Sequence, residues 1–462
     1  MTNDERPLRP HRHSALRALT GSSHALAAAR ATCLAIFGAL FIVGCGDHSN
    51  SGPDSGGADD AATSATADAT SSEAFGGVDA GDDSAGGGQD TRGGGSDSSG
   101  DAPTGSPDAG GDVVNESATA TDSGGSTSGL HVQGNSIVDN GQTIRLLGVN
   151  ISGTETYCEQ GIGIFQAPTV NGNVDPAVVS AMQTWKIRAV RVPLNEDCWL
   201  GINGVQTKYG GANYSSAIAG FVKQLRNAGM YVVVDLHWNA PGTTLANSQQ
   251  PMADADHSVA FWTSVAQAFK SDMGVVFDLY NEPNIDGGNV TAASWDCWLK
   301  GCSVSNWSGF QGAASTAGMQ QMVDAVRGTG AANLIMVGGL GDAEFVDANW
   351  LSHKPVDPRN NLAASHHNYN FNGGCNTQAC WMSKLGLVAA QVPIVVSELG
   401  ESDCAHGYVD SFFAWADPLG VSYMGWTWNN WNCGSGPALV TDFYGTPTVT
   451  YGQGFKAHLL TQ

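Results

Sequence analysis

Two glutamates in this chain stand where an acid could do chemistry. Glu282 closes the stretch Leu279-Tyr280-Asn281-Glu282-Pro283, and Glu398 sits in Val396-Ser397-Glu398-Leu399-Gly400. In the first stretch an apolar run ends on a carboxylate and a proline. Proline cannot continue a ladder of strand hydrogen bonds, so the acid is delivered to the rim of a sheet. A lone glutamate is ordinarily a solvated surface charge. Two of them held in different protonation states make a general acid set against a nucleophile or charge stabiliser. Groups suited to tuning such a pair recur at similar points of the chain: Arg191, His237, His367 and Tyr369.

The elements that must hold these residues come from periodicity. Short apolar runs occur at Ile144–Val149, Ala189–Val192, Tyr231–Asp235, Val275–Tyr280, Leu334–Val337, Leu362–Ser365, Ile394–Ser397 and Ser422–Gly425. Helical patterns fall between them at Asp175–Trp185, Tyr214–Ala228, His257–Lys270, Gly312–Arg327, Cys380–Ala390 and Tyr408–Leu419. Nearly continuous apolar strands alternating with helices predict parallel units covered on both faces. Eight such units in residues 130–462 predict an α/β fold, a (β/α)8 TIM barrel with enlarged loops. A doubly wound open sheet is the rival. Its glycine-rich phosphate turn is missing, because Gly148-Val149-Asn150 ends the first strand. In a barrel the reactive groups lie at the C-terminal ends of strands, which is where Arg191, His237, Glu282, His367, Glu398 and Trp428 fall. Leu130–Gly141, with turn residues at Gly134-Asn135 and Asp139-Asn140-Gly141, predicts a short hairpin lid ahead of the barrel.

Composition divides the 462 residues unevenly. Residues 1–45 carry a basic region and then the apolar segment Ala31–Gly44, too short for a comfortable membrane span and fitting an export signal. Ile42-Val43-Gly44-Cys45 resembles a bacterial lipobox, which implies lipidation of Cys45 and a lipid anchor in the cell envelope, with secretion as the alternative. Residues 46–129 are almost entirely Gly, Ser, Ala, Thr and Asp, with sixteen acidic residues against Arg92, and predict a disordered tether. Much of the net charge of −23 lies there, and the acidic remainder argues against nucleic acid as a partner. Eight of the ten cysteines lie beyond residue 130, an even number that fits disulfides in an oxidising compartment. Cys297/Cys302 and Cys375/Cys380 look like loop clasps, which leaves Cys158/Cys198 and Cys404/Cys433. Neither close pair has zinc-knuckle spacing, so no metal site is expected.

From Ile144 to Leu460 the sequence resembles glycoside hydrolase family 5, the cellulase family. The motifs that carry the resemblance are Asn281-Glu282-Pro283 on the fourth strand and Ser397-Glu398-Leu399-Gly400 on the seventh. The resemblance implies retaining hydrolysis of a β-linked glycan, with Glu282 as acid/base and Glu398 as nucleophile. Arg191, His237, Asn281, His367, Tyr369 and Trp428 then occupy substrate-binding or supporting positions, His367 being preferred to His366. The amide of Asn281 suits a sugar 2-hydroxyl, Arg191 and Tyr369 suit a negative Glu398, and Trp428 suits a sugar face. Trp238, His257 and Trp426 are further subsite candidates, as are the loop residues Trp199, Trp295, Trp298 and Trp431. The stretch Asp254-Ala255-Asp256-His257 is a candidate substrate loop, in which Asp256 would serve equally well as a helix cap, and Glu196, Asp197, Glu401 and Asp403 read as salt-bridging or loop hydrogen-bonding groups. The resulting expectation is a monomeric, cofactor-free endo-β-1,4-glucanase acting on polysaccharide. A β-mannanase is the alternative within the class, and a glycan-binding lipoprotein without catalysis is the alternative outside it.

Overall fold

The computed structural model describes residues 129–432 and 436–462. The expected export segment with Cys45, the tether up to residue 128, and Cys433 lie outside these residues.

Eight parallel strands close into a barrel in chain order. They are β1 (Leu147–Asn150), β2 (Ala189–Asn195), β3 (Tyr231–Trp238), β4 (Val275–Asp278), β5 (Ile335–Gly338), β6 (Leu362–Tyr369), β7 (Ile394–Gly400) and β8 (Ser422–Gly425). β8 pairs with β1, and β4 pairs with β5, so no barrel edge is left open.

The period of two explains why each strand is apolar on both faces. Val190, Val192 and Leu194 of β2, Val232, Val234 and Leu236 of β3, and Val275 and Phe277 of β4 join the large core between barrel and helices. Their neighbours Ala189, Val233 and Val276 join Leu146, Leu334, Met336, Ala363, Val395 and Met424 in a separate core at the N-terminal end of the barrel. Leu130 and Ile137 close that end. They belong to a segment that forms three antiparallel strands, His131–Gln133, Ser136–Asp139 and Gln142–Ile144, where the sequence predicted a hairpin.

Helices Pro176–Thr184, Ala212–Asn227, Ser258–Phe269, Met319–Gly328, Gly407–Ala416 and Tyr451–Leu459 are among those that wrap the barrel. Met319–Gly328 starts later than the pattern suggested, because Ala314–Ser315 pairs with Ser303–Val304 in a small ribbon. A helix the pattern missed, Ala292–Lys300, is started by a capping box between Thr291 and Ser294. Disulfides join Cys158 to Cys198, Cys297 to Cys302 and Cys375 to Cys380. Cys404 is also disulfide-bonded.

Candidate active site

At the C-terminal end of the barrel the inward positions change from apolar to ionisable. Arg191 of β2 is fully buried at the centre of this layer. Its Nη1 donates to Glu398 Oε1 at 2.7 Å and to Asn150 Oδ1 at 3.2 Å. Its Nε donates to Asp278 Oδ2 at 3.1 Å, and Nη2 lies 3.0 Å from Asn281 Oδ1 and 3.1 Å from Asp235 Oδ2. Burial works against the guanidinium charge, but Asp235, Asp278 and Glu398 outweigh it and raise the arginine pKa further. One fixed cation thereby ties together the ends of strands β1, β2, β3, β4 and β7.

Glu398 on β7 receives a second donor from β6, the Tyr369 hydroxyl, at 2.6 Å from Oε2. Gly400 makes room for that ring, since a Cβ there would come within 2.8 Å of Tyr369 Cε1. Glu282 follows the end of β4 with a positive φ of 49°, a conformation costly for a residue with a side chain. Its side chain is 27% exposed. Burial raises its pKa; His237 and Arg191 pull it down, and Asp235 pushes it up. Between the two acids stands His367, with Nδ1 3.1 Å from Glu282 Oε1 and 3.5 Å from Glu398 Oε2. Burial drops its pKa to about 4, so the ring is neutral near pH 7. One oxygen of each carboxylate and this nitrogen all lie within 4.8 Å of one another.

His237 hydrogen-bonds through Nδ1 to Asp235 at 2.8 Å, and burial, which opposes its charge, is overcome by that aspartate. Its ring lies parallel to Trp426, centroids 5.9 Å apart with planes 10° from one another. Asn281 donates from Nδ2 to Gln249 Oε1 at 3.0 Å, and Gln249 returns a bond to the Asn281 carbonyl at 2.7 Å.

The structure therefore brings together Arg191, His237, Asn281, Glu282, His367, Tyr369 and Glu398. His366 is turned away, donating from Nδ1 to the Ala343 carbonyl at 3.0 Å, with burial lowering its pKa to about 3. Trp428 is not a sugar platform. It is fully buried edge-on against Trp185 at 4.9 Å, and its Nε1 donates to the Phe443 carbonyl. The strand ends at Gly425, so alternation does not carry over to the two tryptophans, and half-buried Trp426 is the one beside His237. Trp199, Trp295 and Trp298 are likewise core residues, while Trp238 and Trp431 are half-buried. His257 is not joined to the acid pair; its ring faces Asp254 and Glu196. Asp254, not Asp256, receives the His257 N–H ahead of the helix Ser258–Phe269. Glu196, Asp197 and Glu401 accept loop and helix-end hydrogen bonds.

Sequence reading gave no role to Asp278, Asn150, Gln249 or Glu155, and none to Asp235 beyond its place in a strand end. Burial lifts Asp278 to about 6 against the pull of Arg191, and Glu155 to about 7 against that of His237. A signal for two of them was present: Asp235 shares an inward face with His237, and Asp278 shares one with Val276. Gln249 lies in an irregular loop with no periodicity to read.

A family model described as cellulase (glycosyl hydrolase family 5) matches residues 142–432. The chain is 24% identical over 291 residues to endoglucanase CelA of Streptomyces lividans, an alignment covering 60% of this chain and 54% of that protein. It thus spans about half the length of this curated relative. Among solved structures it is similar to the cellulase Cel5C_n, with a TM-score of 0.51 and 18% identity over 72% of this chain and 91% of that one. It is also similar to a β-mannanase from Streptomyces thermolilacinus, with a TM-score of 0.50 and 20% identity over 72% and 96%. At these identities the structural likeness is one of fold.

Proposed function

The chain belongs to the cellulase family, glycosyl hydrolase family 5, and on that premise we propose that it hydrolyses internal β-1,4-glucosidic bonds of a polysaccharide with retention of configuration. The observation that carries the retaining reading is the closeness of the two acids, with an oxygen of Glu282 and one of Glu398 within 4.8 Å. Double displacement uses carboxyls about 5–5.5 Å apart, whereas inversion leaves roughly 6.5–9.5 Å for a water between them.

In the first step Glu398 attacks the anomeric carbon while Glu282 gives its proton to the departing glycosidic oxygen. A covalent glycosyl-enzyme forms and the aglycone leaves. In the second step Glu282, now a carboxylate, takes a proton from water as its oxygen attacks the same carbon and frees Glu398. The raised pKa of Glu282 suits the proton donor, and the bonds from Arg191 and Tyr369 orient the nucleophile. His367, neutral and close to both acids, can hydrogen-bond to either without adding a charge. Trp426 and His237 supply parallel flat surfaces beside the pair for a sugar ring.

Glucan is favoured as substrate by the endoglucanase relative, because the mannanase likeness supports the fold alone. Export and lipidation at Cys45 are part of the proposal, supported by the Ile42-Val43-Gly44-Cys45 pattern and the acidic tether, as is a monomeric enzyme. Loss of fatty-acid labelling in Cys45→Ala tests the anchor. The test of activity is turnover of soluble glucan, mannan and xylan by wild type and Glu398→Gln. Glucan turnover that the variant loses while still binding oligosaccharide supports the reading. Mannan turnover without glucan turnover favours a mannanase, and binding without turnover by the wild type favours a glycan-binding protein.

A further inference from the structure

A second cluster of buried carboxylates lies in the loops after β2 and β3, and it has no arginine. Glu196 opens the helix Glu196–Leu200, and Asp254 and His257 precede the helix Ser258–Phe269. Glu196 and Asp254 are fully buried, and His257 is 23% exposed at its side chain. Part of their bonding capacity is used. Ser258 Oγ donates to Glu196 Oε2 at 2.6 Å, Asn239 Nδ2 to Asp254 Oδ2 at 2.8 Å, and the His257 N–H to Asp254 Oδ1 at 2.8 Å.

What remains is a converging set. Glu196 Oε1 and His257 Nδ1 are both buried atoms without a hydrogen-bond partner. His257 Nδ1 stands 3.9 Å from Glu196 Oε1 and 3.6 Å from Asp254 Oδ1, and one ligand atom from each of the three residues lies within 4.8 Å of the others. Among the described residues, no lysine or arginine forms an ion pair with Glu196, Asp197, Asp254 or Asp256. The excess negative charge is therefore met by one histidine. Burial, and then Asp254, push the Glu196 pKa well above its ordinary value, which is what surplus buried charge does.

We propose that Glu196, Asp254 and His257 bind a divalent cation of the zinc type that braces the β2 and β3 loops. Ligand atoms of a single ion commonly stand about 3–4 Å apart, and the 3.9 and 3.6 Å separations here are beyond hydrogen-bond length. An ion within this triangle would sit roughly 2.1–2.5 Å from each atom, the range of divalent metal–ligand bonds. The imidazole nitrogen selects zinc over calcium, whose ligands are oxygens. Asp256 Oδ1, 4.0 Å from His257 Nδ1 and half-exposed, is placed to complete the coordination together with water. The rival arrangement is a proton shared between the Glu196 and Asp254 carboxyls, which are close enough to hydrogen-bond to one another. That proton would leave His257 Nδ1, 3.9 Å from Glu196 Oε1, still without a partner.

The brace has a defined route to the reacting groups. Asp254 holds Asn239, whose Oδ1 accepts the Tyr280 hydroxyl at 2.9 Å, and Tyr280 directly precedes Asn281 and Glu282. The inference does not depend on the hydrolytic reading.

The test is calorimetric titration of Zn²⁺ into the chelator-treated full-length protein at pH 7, with thermal unfolding alongside. The expected result is one equivalent bound and a midpoint raised by roughly 4–8 °C at a hundredfold excess over Kd. Glu196→Gln and His257→Gln, checked as folded by circular dichroism, should each weaken binding at least tenfold, whereas Glu398→Gln should leave it unchanged. The proposal is overturned if the wild type takes up no zinc, or if both cluster variants bind it as wild type does. It is also overturned if Glu398→Gln abolishes uptake, which would assign the ion to the Glu282–His367–Glu398 trio, or if calcium stabilises as well as zinc.

Discussion

The barrel interior has two layers built from the same strands, and they are opposites. On β4, Val276 packs among Leu130, Ile137, Val233 and Met336 at the closed end. Two residues on, Asp278 points inward as well and pairs with Arg191 at 3.1 Å. The same step turns Ala189 into Arg191, Val233 into Asp235, Ala363 into Ser365 and Val395 into Ser397. The lower layer is held by contact and burial, which tolerate no unpaired polar atom. The upper layer is held by directed bonds to a single guanidinium and has little apolar surface to bury. A barrel can therefore keep a costly array of buried charge at one end because the other end carries the folding energy.

Removing the cation should break this contrast most severely. Arg191→Met leaves Asp278 and Glu398 buried without their counter-charge and Asp235 with His237 alone. A loss of about 3–5 kcal/mol is expected from denaturant unfolding, together with collapse of activity. An exchange between layers comes next. Val276→Asn places an unsatisfied amide among apolar side chains and should cost about 3 kcal/mol. Asp278→Asn, one step along the same face, should stay within about 1 kcal/mol because its carboxylate already carries a burial penalty that pairing only partly offsets. Equal costs in parallel unfolding curves would mean that the layers do not differ as described.

A smaller effect is expected at the edge of the upper layer. Tyr369→Phe removes the 2.6 Å bond to Glu398 and should lower kcat roughly 10–100-fold with little change in unfolding midpoint. The smallest is a shift in pH dependence. Hydrolysis needs Glu282 protonated, so activity is present below its raised pKa and is lost as pH climbs through it. His237 pulls that pKa down, so His237→Gln should move the alkaline limb of kcat/KM to higher pH. A limb that stayed in place in initial-rate profiles would remove His237 from the electrostatics of the site.

Much of this was legible in the sequence, because the barrel writes its active end into the last residues of each strand. Apolar runs located all eight strands, and the polar residues closing them located Arg191, His237, Asn281, Glu282, His367, Tyr369 and Glu398 at one mouth. Where strands stop, the rule stops. Trp428 and Trp426 are two residues apart, but the chain leaves the sheet at Gly425 and aims only Trp426 at the site. The cap expected of Asp256 failed for a similar reason: in the loop its carboxylate turns to the Gly242 N–H, and Asp254 takes the His257 N–H. Asp278 was hidden within an apolar run, and Gln249 reaches Asn281 from a loop. The Glu196–Asp254–His257 cluster is assembled from two loops far apart in sequence, which leaves no spacing motif to read.

The central claim is that Glu398 attacks the anomeric carbon while Glu282, a few ångströms away, supplies and then withdraws the proton. Proton NMR of the first-formed products from a defined cello-oligosaccharide tests it most directly. β-Configured reducing ends should appear first, with the α-anomer rising only as mutarotation proceeds. Initial release of the α-anomer would contradict it, because that outcome requires water, and not Glu398, to make the attack.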